Sequence, residues 1–220
     1  MIRRPLKRWL RFSLRSLIVL FLLAGVAFAA FHYRLRNAER QAATVARLKE
    51  FGGYIRYVDH QQAVSARQEA NLVTVWLTAQ LGLDFFHDVE TVCIGRCGEI
   101  SDDDLDSICH LRNIRSVRLG KTVVTDDGLQ PMTGLSQLRR FSISSPHITD
   151  QGMDHLSRLH QLETLTLVDV GLTDSGLAKL ASLRSLEFLA LKKTRVSRQG
   201  VTSLQAALPD CKIEFYNGRF

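Results

Sequence analysis

Cysteine is scarce in this sequence: Cys93, Cys97, Cys109 and Cys211 are the only four in 220 residues. That density excludes a disulfide-stapled scaffold. No cysteine stands at the end of the hydrophobic N-terminal run either, so a lipid-modified cysteine has no acceptor. Enzymatic signatures are missing too. The chain has no G-x-S-x-G, no phosphate-binding glycine-rich loop, no G-x-G-x-x-G and no H-E-x-x-H, which argues against an enzyme built on those chemistries. Positive charge is lacking where a nucleic-acid binder would need it. The net charge is +7, but residues 1–50 hold eleven Lys and Arg against Glu39 and Glu50, leaving 18 basic and 20 acidic residues in 51–220. A phosphate-tracking surface needs cations clustered on the folded domain. No nucleic-acid partner and no cofactor are expected.

What the sequence does have begins with an apolar run. Leu17–Phe31 contains no charge or strongly polar group, and extending it to Ser16–Tyr33 gives eighteen residues, about 27 Å of helix, close to the thickness of a bilayer's hydrocarbon core. Arg15 and Arg34 bracket it and can snorkel to the interfaces. Six cations (Arg3, Arg4, Lys7, Arg8, Arg11, Arg15) precede the run, against Arg34, Arg36, Arg40 and Arg47 spread beyond it. The denser cluster stays cytoplasmic, which places the C-terminal bulk in the periplasm or outside the cell. The rival reading is a cleaved signal peptide, with Ala27-Phe28-Ala29 supplying small residues for a peptidase.

Downstream the sequence repeats itself. Ser101-Asp102, Thr125-Asp126, Thr149-Asp150, Thr173-Asp174 and Ser197-Arg198 fall at a strict spacing of 24. Three residues after each hydroxyl stands Asp104, Gly128, Gly152, Gly176 or Gly200, followed by Leu105, Leu129, Met153, Leu177 or Val201. Each unit changes hydrophobic period midway. Leu162-x-x-Leu165-x-Leu167 alternates like a short strand with one buried face, whereas Leu172, Leu177, Leu180 and Leu183 follow helical spacing. The hydroxyl suits a helix N-cap and the Asp places a carboxylate at that helix's positive end. The glycine implies close approach between helix and neighbouring turn. In this frame Gly171-Leu172-Thr173-Asp174-Ser175-Gly176, superficially a serine-nucleophile turn, is repeat structure.

These units resemble the leucine-rich repeat family, whose pattern places leucines along a strand followed by an Asn, Cys or Thr that ties down the turn. That column here reads Cys97, Thr122, Pro146, Val170 and Thr194, so Pro146 and Val170 interrupt the turn ladder. The first unit resembles the cysteine-containing subclass and the later ones a bacterial, membrane-anchored type with Thr-Asp-x-Gly-Leu. The resemblance covers 89–216. It implies an α/β fold, a right-handed solenoid with short parallel strands on the concave face and helices on the convex one. Ile213 and Phe215 lie 24 residues beyond Leu189 and Leu191, which predicts a terminal strand over Lys212–Tyr216.

The chain thus divides into a basic cytoplasmic tail (1–15), a transmembrane helix (16–33), a helical connector and N-terminal cap (34–88), and the repeats (89–220). Within the connector, Arg34–Glu50 reads as a helix stopped by Gly52-Gly53, Tyr54–Val58 as a strand, and Leu72, Val73, Trp76, Leu77 and Leu81 as a second apolar helical stripe. Trp76, Phe85 and Phe86 are packing residues in this reading.

Two groupings invite a metal and neither earns one. Cys93, Cys97, Cys109 and His110 diverge in direction within the repeat frame, and Asp102-Asp103-Asp104 with Asp106 suits a helix start. Strand alternation instead exposes Thr91, Cys93, Ser116, Arg118, Arg140, Ser142, Thr164, Thr166, Phe188, Ala190, Lys192, Lys212, Glu214 and Tyr216 on the concave side. The resemblance implies that this side binds a protein or peptide, and Arg118, Arg140, Thr164, Phe188, Lys192 and Tyr216 are the expected contact residues, arginines and aromatics being the usual interface anchors. The alternative function is structural: homo-oligomeric assembly through the solenoid's end.

Overall fold

A computed structural model describes residues 14–57, 88–95, 100–111 and 113–216. The expected second stripe (Leu72–Leu81), Trp76, Phe85, Phe86, Cys97 and most of the basic tail lie outside the described residues. The chain opens with helix α1 (Leu14–Glu50) and strand β1 (Tyr54–Tyr57). It then alternates β2 (Val89–Ile94), α2 (Asp102–Cys109), β3 (Ser116–Lys121), a 3-10 turn (Asp127–Gly134), β4 (Arg140–Ser144) and α3 (Gly152–Leu156). β5 (Thr164–Val168), α4 (Asp174–Lys179) with a 3-10 extension (Leu180–Ser182), β6 (Phe188–Lys192), α5 (Arg198–Ala207) and β7 (Lys212–Tyr216) complete it. The strands form one seven-stranded sheet in chain order, β2 to β7 parallel and β1 antiparallel to β2.

The 24-residue period becomes sheet register. Arg140 stands beside Thr164, Thr164 beside Phe188 and Phe188 beside Lys212, so each repeat presents equivalent positions side by side. The alternation phase is as expected: Val117, Phe141, Leu165 and Leu189 are buried between strands and helices, while Arg118, Arg140 and Lys192 are exposed. The helical half is shorter and tighter than its spacing suggests. Over Asp127–Gly134 it is 3-10 throughout, with Pro131 inside it; proline has no N–H to donate to an i−4 carbonyl.

The repeated Thr-Asp pair does more than cap its own helix. Each aspartate reaches forward to the next repeat. Asp102 accepts from the Thr125 backbone N–H at 2.8 Å and from its hydroxyl at 2.7 Å. Asp126 does the same for Thr149 and also accepts from the Gly152 N–H at 2.9 Å. Asp150 holds Thr173, and Asp174 holds Ser197. Thr173 and Ser197 in turn accept from Ser175 and Gly200 N–H groups as N-caps. The glycine column follows directly: a Cβ on Gly128, Gly152, Gly176 or Gly200 would overlap the preceding repeat's aspartate oxygen. Close approach at this position, inferred from the sequence, is thus approach to a carboxylate.

The ladder has a built start and a chemical stop. Among the described residues no repeat precedes Ser101, and there the glycine column holds Asp104, whose own carboxylate accepts from the Ser101 N–H (3.1 Å) and hydroxyl (3.0 Å). Arg47 of α1 donates to its other oxygen at 2.5 Å. Burial pushes the Asp104 carboxyl upward, but the Ser101 and Arg47 hydrogen bonds outweigh it and hold the group below the usual carboxylate range. At the other end Arg198 replaces the aspartate, after the last helix that needed one.

α1 is continuous across the 33/34 boundary between the expected membrane span and connector. Its apolar part is fully outside the core, with Phe21, Leu22 and Phe28 all more than 60% exposed, and is long and apolar enough to cross a membrane. Its last turns change character: Val45 and Leu48 join the solenoid core. Gly52 adopts φ 68° and Gly53 returns its N–H to the Leu48 carbonyl, ending the helix as the double glycine predicts. Among the described residues, β1 pairs with β2 and the end of α1 packs into the same core.

The tie-down column behaves less regularly. Thr122 donates to the Ser144 carbonyl at 3.2 Å as expected. Thr194 does not: its buried hydroxyl has no hydrogen-bond partner. In the repeat where Pro146 fills the column, buried Ser145, one residue earlier, donates to the Val124 carbonyl at 2.6 Å and takes over the role.

Two outcomes follow. Gly176→Ala should destabilise the full chain in detergent by about 1–3 kcal/mol, since the methyl must displace Asp150 or strain the backbone. Gly134→Ala, with open space around it, should change stability little; equal denaturant midpoints for the two would remove the steric role. The second outcome concerns acid. Asp174 is held low by the Ser197 hydroxyl and N–H, and Asp104 is also low, against an unperturbed value of 3.8. Groups depressed in the folded state stabilise it fully above 3.8 and lose that contribution as pH falls through their lower folded values. Melting temperature should be nearly flat from pH 7 to pH 5 as regards these groups and fall below about pH 4, with Asp174→Asn flattening part of that fall.

Candidate binding face

The helices cover one side of the sheet and leave the other open. Strand register sorts the open side into rows. One row runs Arg56, Thr91, Ser116, Arg140, Thr164, Phe188, Lys212. The next runs Tyr54, Cys93, Arg118, Ser142, Thr166, Ala190, Glu214. A third begins at Lys121, which pairs with Ser144 after a register shift, and continues through Val168 and Lys192 to Tyr216. The shift sits at Gly120, where a Cβ would strike the Gly95 carbonyl. All six expected contact residues therefore lie on one face. Thr91 and Ala190, expected to be outward, point that way but are buried, at 5% and 4% exposure. Thr91 lies under the Arg56 side chain, which donates to its hydroxyl at 3.3 Å, and Ala190 is a methyl between larger neighbours in its row.

β1 adds two residues that the sequence reading did not place here, Tyr54 and Arg56. Their alternation with Ile55 and Tyr57, which pack on the core, was the available signal. Arg56 is committed, to Thr91 and at 3.8 Å to Glu90. Tyr54 is 65% exposed.

The two ends of the face differ in electrostatic state. On β6 and β7 the candidates are already engaged with one another. Lys212 lies 5.7 Å from the Phe188 ring centroid and Lys192 lies 5.1 Å from that of Tyr216. Glu214 pairs with Lys212 at 2.7 Å and accepts from the Tyr216 hydroxyl at 3.2 Å. The hydrogen bond between Lys212 and Glu214 raises the lysine's pKa and lowers the glutamate's. These pairs were legible, because residues 24 apart become neighbours. On β3 and β4 the opposite holds. Arg118 and Arg140 are exposed, and among the described residues neither guanidinium has an ion-pair or hydrogen-bond partner. The nearby Arg115 and Arg139 are paired, with Glu90 at 3.7 Å and Glu163 at 2.8 Å.

Of the first metal-like grouping, Cys97 lies outside the described residues. Cys93 is on the open face and Cys109 on α2, where burial and then Asp106 push its thiol up to about 12. Among the described residues no three His, Cys, Asp or Glu side chains converge on a metal position. Asp102 and Asp104 are spent on the ladder, and Asp106 faces His110.

No protein-family model matches the chain, and no curated protein matches it. Several solved structures do. A leucine-rich-repeat protein of Leptospira interrogans matches 50% of this chain and 27% of its own length at 18% identity, TM-score 0.39. An internalin of Listeria monocytogenes matches 59% of this chain and 41% of its own at 19% identity, TM-score 0.39. The Arabidopsis receptor kinase HAESA, solved with a peptide hormone and a co-receptor, matches 80% of this chain and 33% of its own at 17% identity, TM-score 0.44. The chain spans less than half the length of each. The parallel strand-and-helix coil itself is given by the chain's own 24-residue repeat and register.

The pairing states predict different stability effects. Phe188→Ala removes a half-buried ring that Lys212 covers, and should lower the melting temperature. Arg118→Ala and Arg140→Ala, which break no contact, should leave it unchanged within about 0.5 kcal/mol of stability. Thermal melts of the three variants check this; a large loss at either arginine would mean that it supports the fold.

Proposed function

We propose that this chain is a membrane-anchored, non-enzymatic scaffold that binds a protein or peptide on the open face of its sheet. The observation that carries this reading is the coexistence of two unsatisfied surfaces in one chain. α1 leaves Ile18–Phe31 exposed on every side, which water disfavours and a bilayer's hydrocarbon accommodates. The open sheet face offers Arg118, Arg140 and Thr164 on its middle strands, with Phe188, Lys192 and Tyr216 beyond them. Interfaces draw most of their energy from residues of the arginine and aromatic kind.

Because α1 runs without a break into the solenoid core, the tether is short. From Arg34 to Val45 is about 16 Å of helix at 1.5 Å per residue, so the repeats stand close to the membrane surface. The basic flank before the span favours the N-terminus in the cytoplasm and the repeats outside.

The alternative, assembly through the solenoid's end, has less behind it. β7 is an edge strand, yet Arg198 in the aspartate column gives a further repeat-like unit no carboxylate to dock on.

Protease added to intact cells making the full chain should remove the repeats and leave a membrane-protected N-terminal fragment. Complete protection overturns the orientation, and release of the chain by alkaline carbonate overturns the anchor. A photo-crosslinking residue at Thr164 should capture a protein in those cells, and one at Arg158, an exposed helix-side position, should not. Equal capture from both would reject the open face as the working surface.

A further inference from the structure

Four side chains on β3 and β4 form a square. Register pairs Ser116 with Arg140 and Arg118 with Ser142, so the guanidiniums occupy one diagonal and the hydroxyls the other. None of the four has a side-chain hydrogen bond or ion pair among the described residues. Both serines are half-buried and both arginines exposed. Protein surfaces seldom leave adjacent cations unpaired when carboxylates are near, and here Glu90 and Glu163 are near but already taken by Arg56, Arg115 and Arg139. Across β1 to β6 the three rows contain no Asp or Glu; the first is Glu214 on β7, which Lys212 and Tyr216 hold.

The quartet thus has positive charge, two planar forks suited to bidentate acceptance of carboxylates, and two hydroxyl donors between them. Spacing narrows the ligand. Strands lie about 4.8 Å apart and two residues along a strand span about 6.6 Å, so the arginines are anchored roughly 8 Å apart on the diagonal. Alternate side chains of an extended peptide are about 7 Å apart and point the same way. We infer that Ser116, Arg118, Arg140 and Ser142 form a docking site for an extended acidic segment of a partner protein, two carboxylates at alternate positions being held by the two guanidiniums. This deepens the open-face reading and rests on it. A nucleic-acid backbone needs a longer track of cations than Arg118, Arg140 and the neighbouring Lys121. The −2 balance of residues 51–220 gives no general attraction to an anionic bilayer.

The test uses the full chain in nanodiscs of zwitterionic lipid and a fluorescent nonapeptide with aspartate at alternate positions and threonine between, against the same peptide with asparagine. Anisotropy should give the aspartate peptide about tenfold tighter binding, and Arg118→Gln or Arg140→Gln should each remove about tenfold. Arg158→Gln should change nothing, and unchanged melting curves will separate lost binding from lost folding. Raising salt should weaken the complex. Equal binding of both peptides, no binding of either, or an equal loss from Arg158→Gln overturns the assignment. Displacement of the peptide by a single-stranded oligonucleotide or anionic vesicles at matched charge overturns it in favour of those ligands. If the peptides fail while Thr164 still crosslinks a partner and Arg158 does not, only the acidic specificity falls; if crosslinking fails as well, the open-face reading falls with it.

Discussion

One carboxylate per repeat, lent to the next repeat, organises this solenoid. An aspartate side chain at a helix start normally satisfies that helix's own exposed N–H groups. Here Asp102, Asp126, Asp150 and Asp174 turn forward and receive the following repeat's hydroxyl and backbone N–H. That single choice fixes several others. The following repeat must have a hydroxyl residue to donate and a glycine three positions on to make room. It must also arrive at a constant distance, which holds the hydroxyl spacing at 24; strand positions pair at that same spacing from β4 to β7, while β2 and β3 pair at 25. The rows of the open face are thus a consequence of contacts on the far side of the turn.

A chain of such one-way contacts needs special residues at its ends, and both are present. At Ser101 the glycine column holds Asp104, and the carboxylate is supplied within the repeat. Since that carboxylate's other oxygen would be buried without compensation, with the side chain only 3% exposed, Arg47 completes it. The arginine belongs to the same helix that carries the exposed apolar run. The start of the ladder and the end of the apolar helix are therefore one structural unit, with Val45 and Leu48 packing into the same core. In the repeat of α5 the aspartate column holds Arg198, so no carboxylate reaches forward from it.

Much of this was readable because a repeat converts sequence spacing into spatial adjacency. The 24-residue period gave the strands, their phase and the terminal strand at Lys212–Tyr216. The glycine column pointed to close approach. What the columns did not disclose was which repeat each aspartate serves, since a carboxylate capping its own helix and one capping the next leave the same Thr-Asp signature. Tie-down contacts misled for a related reason. They depend on which carbonyl is left free after the turn, so Ser145 assumes the role from a neighbouring column while Thr194 fills the right column without a partner. β1 was visible as a strand, but its antiparallel pairing is not a repeat property, so Tyr54 and Arg56 could not be placed by periodicity.

The same adjacency that made the face legible also decides which of its side chains are already engaged. A partner approaching β6 and β7 must compete with contacts already formed: Lys212 with Phe188 and Glu214, Lys192 with Tyr216. Whatever it gains there is reduced by the pairs it breaks or the charges it desolvates. At β3 and β4 no internal competitor exists among the described residues, so an incoming acceptor gains the whole interaction apart from the water it displaces. The unpaired arginines also contribute nothing to folding through pairing, and they cost little because both are exposed. An exposed, unneutralised pair of cations on adjacent strands is the arrangement a fold can leave open without losing stability, whereas Phe188, Lys192 and Tyr216 at the far end must exchange existing contacts for any new one.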